Sequence, residues 1–260
     1  MFHELREEYH AIERKRVLAA MLVWPVVAAV LALTVGRSML GVTAFFFLPP
    51  ALYFIYTLDN GWHLLVFTVV MTLVFFPLDY LAHATGLWNV KTAFPRVLSG
   101  AAFESFLWGL FIVPYVVGFH ESFFDDQQFD YFTWEFDVFE GLAVIGLLAV
   151  IIGVGLPGTL TLPLVYLLLI SPLVVLPLIY GVMHGVRRLE LTTLYFFYVN
   201  LLHELTALQI GAWTFPLEQT SSILSLHILG HTIPIEEFVV YMLLLAPSIV
   251  CYHHILAKER

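Results

Sequence analysis

Five acidic side chains lie within or at the edge of strongly apolar stretches: Asp79, Glu104, Glu204, Glu236 and Glu237. A charged side chain at the centre of a membrane helix costs about 2.5–3.5 kcal/mol even on the lenient insertion scale, so such residues face the bundle interior and commonly have a function. Desolvation and like-charged neighbours keep some buried carboxyls protonated near neutral pH. A protonated carboxyl is a general acid, and an ionised neighbour is a general base.

The elements that position these acids are membrane helices. Of the 260 residues, 60% are hydrophobic and only 12% are charged, against roughly 45–50% and about 25% in soluble domains. Three stretches carry no formal charge, Val17–Gly36, Ser38–Leu58 and Gly141–Val186, and about 20 such residues span a bilayer core. The single cysteine, Cys251, excludes a disulfide framework or a thiolate metal cluster. A net charge of −9 argues against nucleic acid as a partner.

We predict an all-α polytopic membrane protein with about eight transmembrane helices. The spans lie near residues 17–36, 39–58, 62–84, 97–119, 139–157, 160–183, 191–211 and 229–251. With the N-terminus inside, only Arg37, Lys91 and Arg96 of the 11 Lys and Arg residues lie on the outer face. The positive-inside rule then places both termini, and the acidic loop Glu121–Glu140, in the cytoplasm.

The chain also contains an internal repeat. Asp79, Gly86 and Trp88 recur 125 positions later as Glu204, Gly211 and Trp213, and Glu104, Phe106 and His120 recur 132 or 133 positions later as Glu236, Phe238 and His253. We therefore predict two four-helix repeats, residues 1–134 and 135–260, in one membrane domain. An even number of spans per repeat makes them parallel, related by an axis along the membrane normal.

Together, the spans and the repeat place all five acids in one layer of the outer half of the membrane. Each acid also has a structural interpretation. Asp79 and His83 are four residues apart and can bond to each other on one helix face. Glu236 and Glu237 follow Pro234, as in the first turn of a helix, where the dipole stabilises a carboxylate and opposes an acid role. The presence of all five in one layer favours a catalytic site.

Two motifs resemble a known family. Asp79…Gly86-x-Trp88, and Gly211-x-Trp213 leading to Pro234-Ile235-Glu236-Glu237-Phe238, resemble the lycopene cyclase domain family, small membrane carotenoid cyclases of the heterodimeric or fused two-subunit type. The two halves resemble the two subunits joined in one chain. The first half departs from the family pattern, because Ala102-Phe103-Glu104-Ser105-Phe106 lacks the expected proline and second acid. His203-Glu204 also stands where an aspartate is expected.

The resemblance implies an intramolecular lyase or isomerase that cyclises the end group of a hydrophobic polyene, without flavin, NAD or metal. Glu236 or Glu237 is expected to be the acid, with Glu236 facing the pocket because Glu104 is its repeat counterpart. Asp79, Glu204 and Glu104 are expected to act as base or to tune the proton. The expected cation-stabilising rings are Trp88, Trp213, Phe103, Phe106 and Phe238, with Trp108 beside them. Any one of these rings can equally be ordinary packing or part of an interfacial belt.

Two other functions fit the sequence. His227, His231, His253 and His254, with Glu236, faintly resemble the histidine boxes of metal-dependent membrane hydroxylases and desaturases. The departures in the first half are compatible with a non-catalytic carotenoid or retinal binder, or a membrane scaffold. Gly153–Gly158 matches the spacing of a dinucleotide-binding loop, but another apolar span follows it instead of an amphipathic helix and an acidic residue. A tight turn between two helices explains these glycines.

Overall fold

Apolar helices dominate the structure, a computed structural model that describes residues 2–58, 61–84, 88–96, 101–124, 129–132, 171–215 and 224–259. The described residues form seven α-helices: α1 (Phe2–Thr34), α2 (Met39–Thr57), α3 (Gly61–Ala84), α4 (Phe103–Phe123), α5 (Ser171–Met183), α6 (Leu189–Gln209) and α7 (Leu245–Leu256). A π-helical segment, Glu237–Leu244, leads directly into α7. The predicted span 139–157, the first part of the span 160–183, the repeat boundary at 134 and Gly153–Gly158 lie outside the described residues.

Four stretches are long and apolar enough to cross a membrane: Ile12–Thr34, Met39–Thr57, Phe103–Phe123 and Glu237–Leu256. Gly61–Phe76 and Leu173–Met183 are shorter apolar helices. The outward face of α1 carries exposed side chains such as Val23, Val26 and Val30, as expected of a helix that contacts lipid. The prediction of a helical membrane protein is confirmed to this extent.

Two predicted helix starts are wrong. The fourth span was expected from Val97, but α4 begins at Phe103, and residues 91–96 are irregular. The eighth span was expected from Leu229, but a hairpin of β4 (Ser225–Ile228) and β5 (His231–Pro234) precedes the last helix. Leu229 and Gly230 turn this hairpin with φ of 50° and 84°, as a two-residue turn of mirror-image type requires.

A short pair of antiparallel strands lies at each end of the bundle. Near the start of α4, β1 (Asn89–Val90) pairs with β3 (Trp213–Thr214), antiparallel, with Asn89 opposite Thr214. At the other end, β2 (Phe129–Phe132) pairs with β6 (Ala257–Glu259). The Arg14 side chain of α1 donates to the backbone oxygen of Phe123, 2.7 Å away, at the end of α4. The chain therefore brings α1, the end of α4 and the C-terminal strand to one end of the bundle.

Small residues allow α4 to lie close to α2 and α3. A Cβ atom on Gly118 would lie only 2.3 Å from the Cβ of Phe54 in α2, and one on Gly109 only 2.9 Å from a methyl of Thr72 in α3. Such contacts between small residues and neighbouring helices are typical of membrane bundles. Because α4 is held against both neighbours, its first turn has a fixed position relative to the end of α3, where Asp79 lies.

Candidate active site

Three of the five predicted acids line one cavity, at the end of the bundle that carries β1 and β3. Asp79 comes from α3, Glu204 from α6 and Glu237 from the π-helical segment. The cavity, together with the open space at its mouth, has a volume of about 610 Å³. The aromatic side chains in its wall are Trp88, Trp108, Trp213 and Tyr241. This space is hereafter the acid cavity.

Glu204 is fixed in place by a tryptophan from the following loop. The chain turns at Gly211, whose φ of 66° is readily adopted only by glycine, and returns Trp213 to the wall of the cavity. The Trp213 indole Nε1 donates to Glu204 Oε1 at 2.6 Å, and both residues are buried. The ring of His203, the residue before Glu204, lies 5.2 Å from that of Trp213. The second-half motif is therefore a hydrogen-bonded pair that holds a carboxyl toward the cavity.

Asp79 forms the corresponding group in the first half, with a histidine added. The Nδ1 atom of His83 lies 3.3 Å from Asp79 Oδ2 and 3.0 Å from the Nε1 of Trp88, which donates to it. His83 Nδ1 therefore lies beside the Asp79 carboxyl and contacts the Asp79 backbone oxygen at 2.9 Å. One Nδ1 atom cannot accept from Trp88 and donate to Asp79 in the same protonation state. Among the described residues, the buried Oδ2 of Asp79 has no hydrogen-bond partner.

Of the two neighbouring glutamates, Glu237 lines the acid cavity, whereas the sequence favours Glu236 as the pocket residue. Glu236 is also buried, but it lines neither cavity described here. Neighbouring helical residues point about 100° apart, so only one of the two can face the same space. The repeat matched Glu236 to Glu104 by position along the chain, and that match does not determine the rotation of the helix.

Glu104 is bonded to the backbone of the segment that precedes α4. It is fully buried, and its Oε1 accepts hydrogen bonds from the backbone amides of Ala93 and, at 3.2 Å, of Phe94. Because α4 begins at Phe103 and not at residue 97, Glu104 lies in the first turn, where it anchors the preceding segment. It lines neither cavity.

The predicted aromatic residues fall into three groups. Trp88 and Trp213 line the acid cavity, as expected. Phe106 lines a second cavity. Phe103 and Phe238 line neither: Phe103 is 37% exposed, and Phe238 packs against Phe197 with ring centres 5.2 Å apart. The structure therefore does not bring Phe103 and Phe238 into the walls of the two cavities.

The second cavity adjoins the acid cavity and is almost entirely apolar. It has a volume of about 640 Å³ and lies between α3, α4, α5 and the last helix. Most of its wall consists of side chains such as Phe75, Phe76, Phe106, Val113, Leu245 and Ile249. Asp79, Ser105, Trp108 and Tyr241 belong to the walls of both cavities. This space is hereafter the apolar cavity.

Asn200 and Tyr241 also line the acid cavity and are not among the residues predicted from the sequence. The Nδ2 of Asn200 donates to the backbone oxygen of Tyr241 at 3.2 Å, which joins α6 to the π-helical segment. The helical spacing points to both residues, because Asn200 precedes Glu204 by four positions and Tyr241 follows Glu237 by four. Residues at that spacing share a helix face, so an acid facing the interior predicts that its i±4 neighbours face it too.

The histidines proposed for a metal-dependent hydroxylase lie at opposite ends of the last helix. His227 and His231 are in the β4–β5 hairpin, where they contact Thr232 and Gln209 respectively. His253 lies near the end of α7, where its Nδ1 is 3.4 Å from Glu121 Oε1. Seventeen residues of helix from Glu236 to His253 correspond to roughly 25 Å. In the described part of the chain, no three His, Cys, Asp or Glu side chains are arranged to hold a metal ion.

Comparisons of this chain with protein-family models, with curated proteins and with solved structures found no match. The geometry of the two cavities is therefore the basis for assigning a function.

Proposed function

We propose that this chain is an integral membrane enzyme that cyclises the end group of a lycopene-type polyene by redox-neutral acid–base catalysis. The observation that carries the proposal is that two cavities adjoin each other. The wall of one has three carboxyls and four aromatic side chains, and the wall of the other is apolar. Asp79, Trp108 and Tyr241 lie in the walls of both. A long, water-insoluble polyene has one reactive end and an inert apolar chain. The end group fits the acid cavity while the chain occupies the apolar cavity.

In the proposed reaction, Glu237 gives its carboxyl proton to the terminal double bond of the polyene. The π electrons form the new C–H bond and leave a tertiary cation. An internal double bond then attacks this cation, closes the ring with a new C–C bond and moves the positive charge to a ring carbon. Loss of a neighbouring proton to a carboxylate restores a double bond. Atoms and electrons balance without an oxidant, a reductant or a cofactor.

The surroundings of the other two acids support different roles for them. Asp79 Oδ2 makes no hydrogen bond among the described residues, although His83 Nδ1 lies 3.3 Å away, so a lone pair can take the proton that the ring loses. Glu204 is held by Trp213, and a fixed carboxyl dipole that faces the cavity can stabilise positive charge that develops there. The faces of Trp88, Trp108 and Trp213 can add cation–π stabilisation.

The proposal includes eight spans, two parallel repeats and cytoplasmic termini in the lipid bilayer. The β1–β3 pairing supports the repeat, because Asn89 and Thr214 are 125 residues apart, which is the repeat offset, and lie opposite each other. A two-fold axis between the halves would pass between these two residues. The bond from Arg14 to Phe123 and the β2–β6 pairing support a common side for α1 and the C-terminus. Six of the eight Lys and Arg residues assigned to the cytoplasm belong to these two terminal regions.

The test is to express the chain, Glu237→Gln and Glu236→Gln in a host that accumulates lycopene, and to extract the pigments. Glutamine keeps the size of the side chain but cannot donate a carboxyl proton. We expect cyclised carotenoid from the parent and from Glu236→Gln, and a loss of about 10²–10⁴-fold in Glu237→Gln, the usual contribution of a general acid. Unchanged lycopene that copurifies with the parent would instead favour a non-catalytic carotenoid binder. Equal activity in both variants would reject Glu237 as the acid.

A further inference from the structure

Three helices contain an interior proline whose lost hydrogen bond is replaced from a neighbouring helix. The prolines are Pro25 in α1, Pro49 in α2 and Pro177 in α5. A proline has no N–H, so it cannot donate to the carbonyl four residues earlier in its helix. Because an unsatisfied carbonyl is costly in an apolar bundle, a donor from another helix is needed in its place.

In each of these helices, the carbonyl four residues before the proline accepts a hydrogen bond from an aromatic side chain of another helix. The bonds run from Tyr195 to Met21 at 2.8 Å, from Trp24 to Phe45 at 3.0 Å and from Tyr252 to Leu173 at 2.6 Å. They join α6 to α1, α1 to α2 and α7 to α5. A further phenol, Tyr198 of α6, donates at 3.1 Å to the backbone oxygen of Leu22, the residue after Met21. Three of these four aromatic donors therefore reach the carbonyl that a proline leaves without its usual donor.

The bond to Met21 extends to a third helix. The hydroxyl of Tyr195 has one proton, and it goes to the backbone oxygen of Met21. In the hydrogen bond between Tyr115 and Tyr195, the Tyr115 hydroxyl must therefore be the donor. All three residues are buried, so water does not compete for these bonds. The series from Tyr115 through Tyr195 to Met21 joins α4, α6 and α1.

The bond from Trp24 holds the part of α2 that packs behind the acid cavity. Phe46 and Phe47 directly follow the Phe45 carbonyl, and their ring centres lie 5.3 Å and 4.7 Å from that of His203. His203 lies in the wall of the acid cavity. A shift of α2 at Phe45 would therefore change the packing of two aromatic rings on a residue of that wall.

We propose that these three proline–aromatic pairs are the bonds that fix α1, α2 and α5 against their neighbours, and that Trp24 is a positioning residue for the His203 side of the acid cavity. The pairs are Pro25 with Tyr195, Pro49 with Trp24 and Pro177 with Tyr252. In each pair the proline removes a bond within its own helix, and the aromatic donor uses the same carbonyl to join that helix to another. The two residues therefore act as one energetic unit. The proposal goes beyond the cyclisation, and its tests need no substrate.

The first test measures whether each aromatic donor depends on its own proline. Tyr252→Phe and Trp24→Phe are made alone, with Pro177→Ala and with Pro49→Ala, and the full-length proteins are denatured reversibly in mixed micelles, followed by circular dichroism. Each donor substitution alone should raise the unfolding equilibrium constant by about 3- to 20-fold, the range for polar contacts between membrane helices. Alanine restores the backbone N–H, so beside its own proline variant the same substitution should cost less than about 2-fold.

The crossed combinations are the matched controls. Tyr252→Phe with Pro49→Ala, and Trp24→Phe with Pro177→Ala, should each keep the full effect of the donor substitution, because the alanine restores the N–H in the other pair. A donor effect that is the same with and without alanine at its own proline would overturn the pairs. Unchanged stability of both Tyr252→Phe and Trp24→Phe would also overturn them, even if no proline variant folds.

The second test follows His203 by NMR in the full-length protein, with ¹³C-labelled histidine side chains, in micelles. The His203 signal is identified by its absence from His203→Gln. Trp24→Phe should shift this signal, because the Phe47 ring 4.7 Å away moves with α2, and adding Pro49→Ala should restore it. Tyr252→Phe should lower the stability and leave the signal unchanged. An unchanged signal in Trp24→Phe, or an equal shift in Tyr252→Phe, would overturn the positioning role. Loss of the cyclisation assignment would leave both results unaffected.

Discussion

The hydrogen bond between Trp213 and Glu204 has an energy that can be measured independently of any enzymatic activity. Trp213→Phe removes the indole N–H but keeps an aromatic ring beside His203. It leaves Glu204 Oε1, which is buried and at 2.6 Å from its donor in the parent, without that donor. Glu204→Met removes the acceptor at similar volume and leaves the indole N–H buried. Each single variant therefore loses the bond and also leaves one polar group unsatisfied.

The expected coupling energy follows from the burial and length of this bond. Hydrogen bonds to charged groups contribute about 1.5–3 kcal/mol in soluble proteins. Polar contacts between membrane helices average about 0.6 kcal/mol and reach about 1.7 kcal/mol. Since the bond is short and both partners are buried, we expect a value toward the upper end of the membrane range, about 1–2 kcal/mol. The double variant should be less destabilised than the sum of the two single variants by that amount.

The assay is reversible denaturation in mixed micelles, followed by circular dichroism, which does not depend on the substituted tryptophan. Trp62→Phe is the control, because Trp62 is 71% exposed on α3 and its substitution should change the free energy of unfolding by less than about 0.5 kcal/mol. Strict additivity of Trp213→Phe and Glu204→Met would refute the bond. It would also weaken the assignment of Glu204 as the acid held toward the cavity.

Two further predictions concern substrate binding and topology. Phe106→Ala should raise KM for the polyene more than it changes kcat, because Phe106 lines the apolar cavity. The control variant Phe103→Ala should change neither KM nor kcat. Equal effects of the two variants in steady-state assays would contradict a polyene in that cavity. Reporter fusions at Thr92 should score outside and fusions within Phe129–Phe132 inside, and the reverse pattern would overturn the proposed orientation.

The acid residues illustrate how far the sequence could predict the site. The sequence identifies Asp79, Glu204 and Glu237 as candidate site residues, because an ionisable side chain in an apolar helix is costly to place in lipid and must face the interior. Glu104 satisfied the same criterion but serves to bind the amides of Ala93 and Phe94. A buried carboxyl that caps a loop and one that faces a cavity incur the same desolvation cost. Hydropathy therefore does not distinguish them.

The sequence does not predict the junction between the two cavities. Tyr241 shares a helix face with Glu237 by its spacing of four residues, but the π-helical turn that adds Met242 to the same wall has no pattern in composition. Helix rotation follows from packing against α6, including the bond from Asn200, and such contacts join residues about 40 positions apart.

The sequence by itself determined the helical membrane class, the acids, and the recurrence of Asp79 and Trp88 as Glu204 and Trp213, because run length, charge and spacing are local properties of the chain. Only the tertiary structure decided which acids share a cavity, that an apolar cavity adjoins it, and that Tyr241 lies between the two. These properties depend on the rotation and separation of helices, set by close contacts such as that of Gly118 with Phe54. Contacts between distant segments have no signature in local hydropathy, since an apolar side chain that faces lipid and one that faces a neighbouring helix are equally apolar.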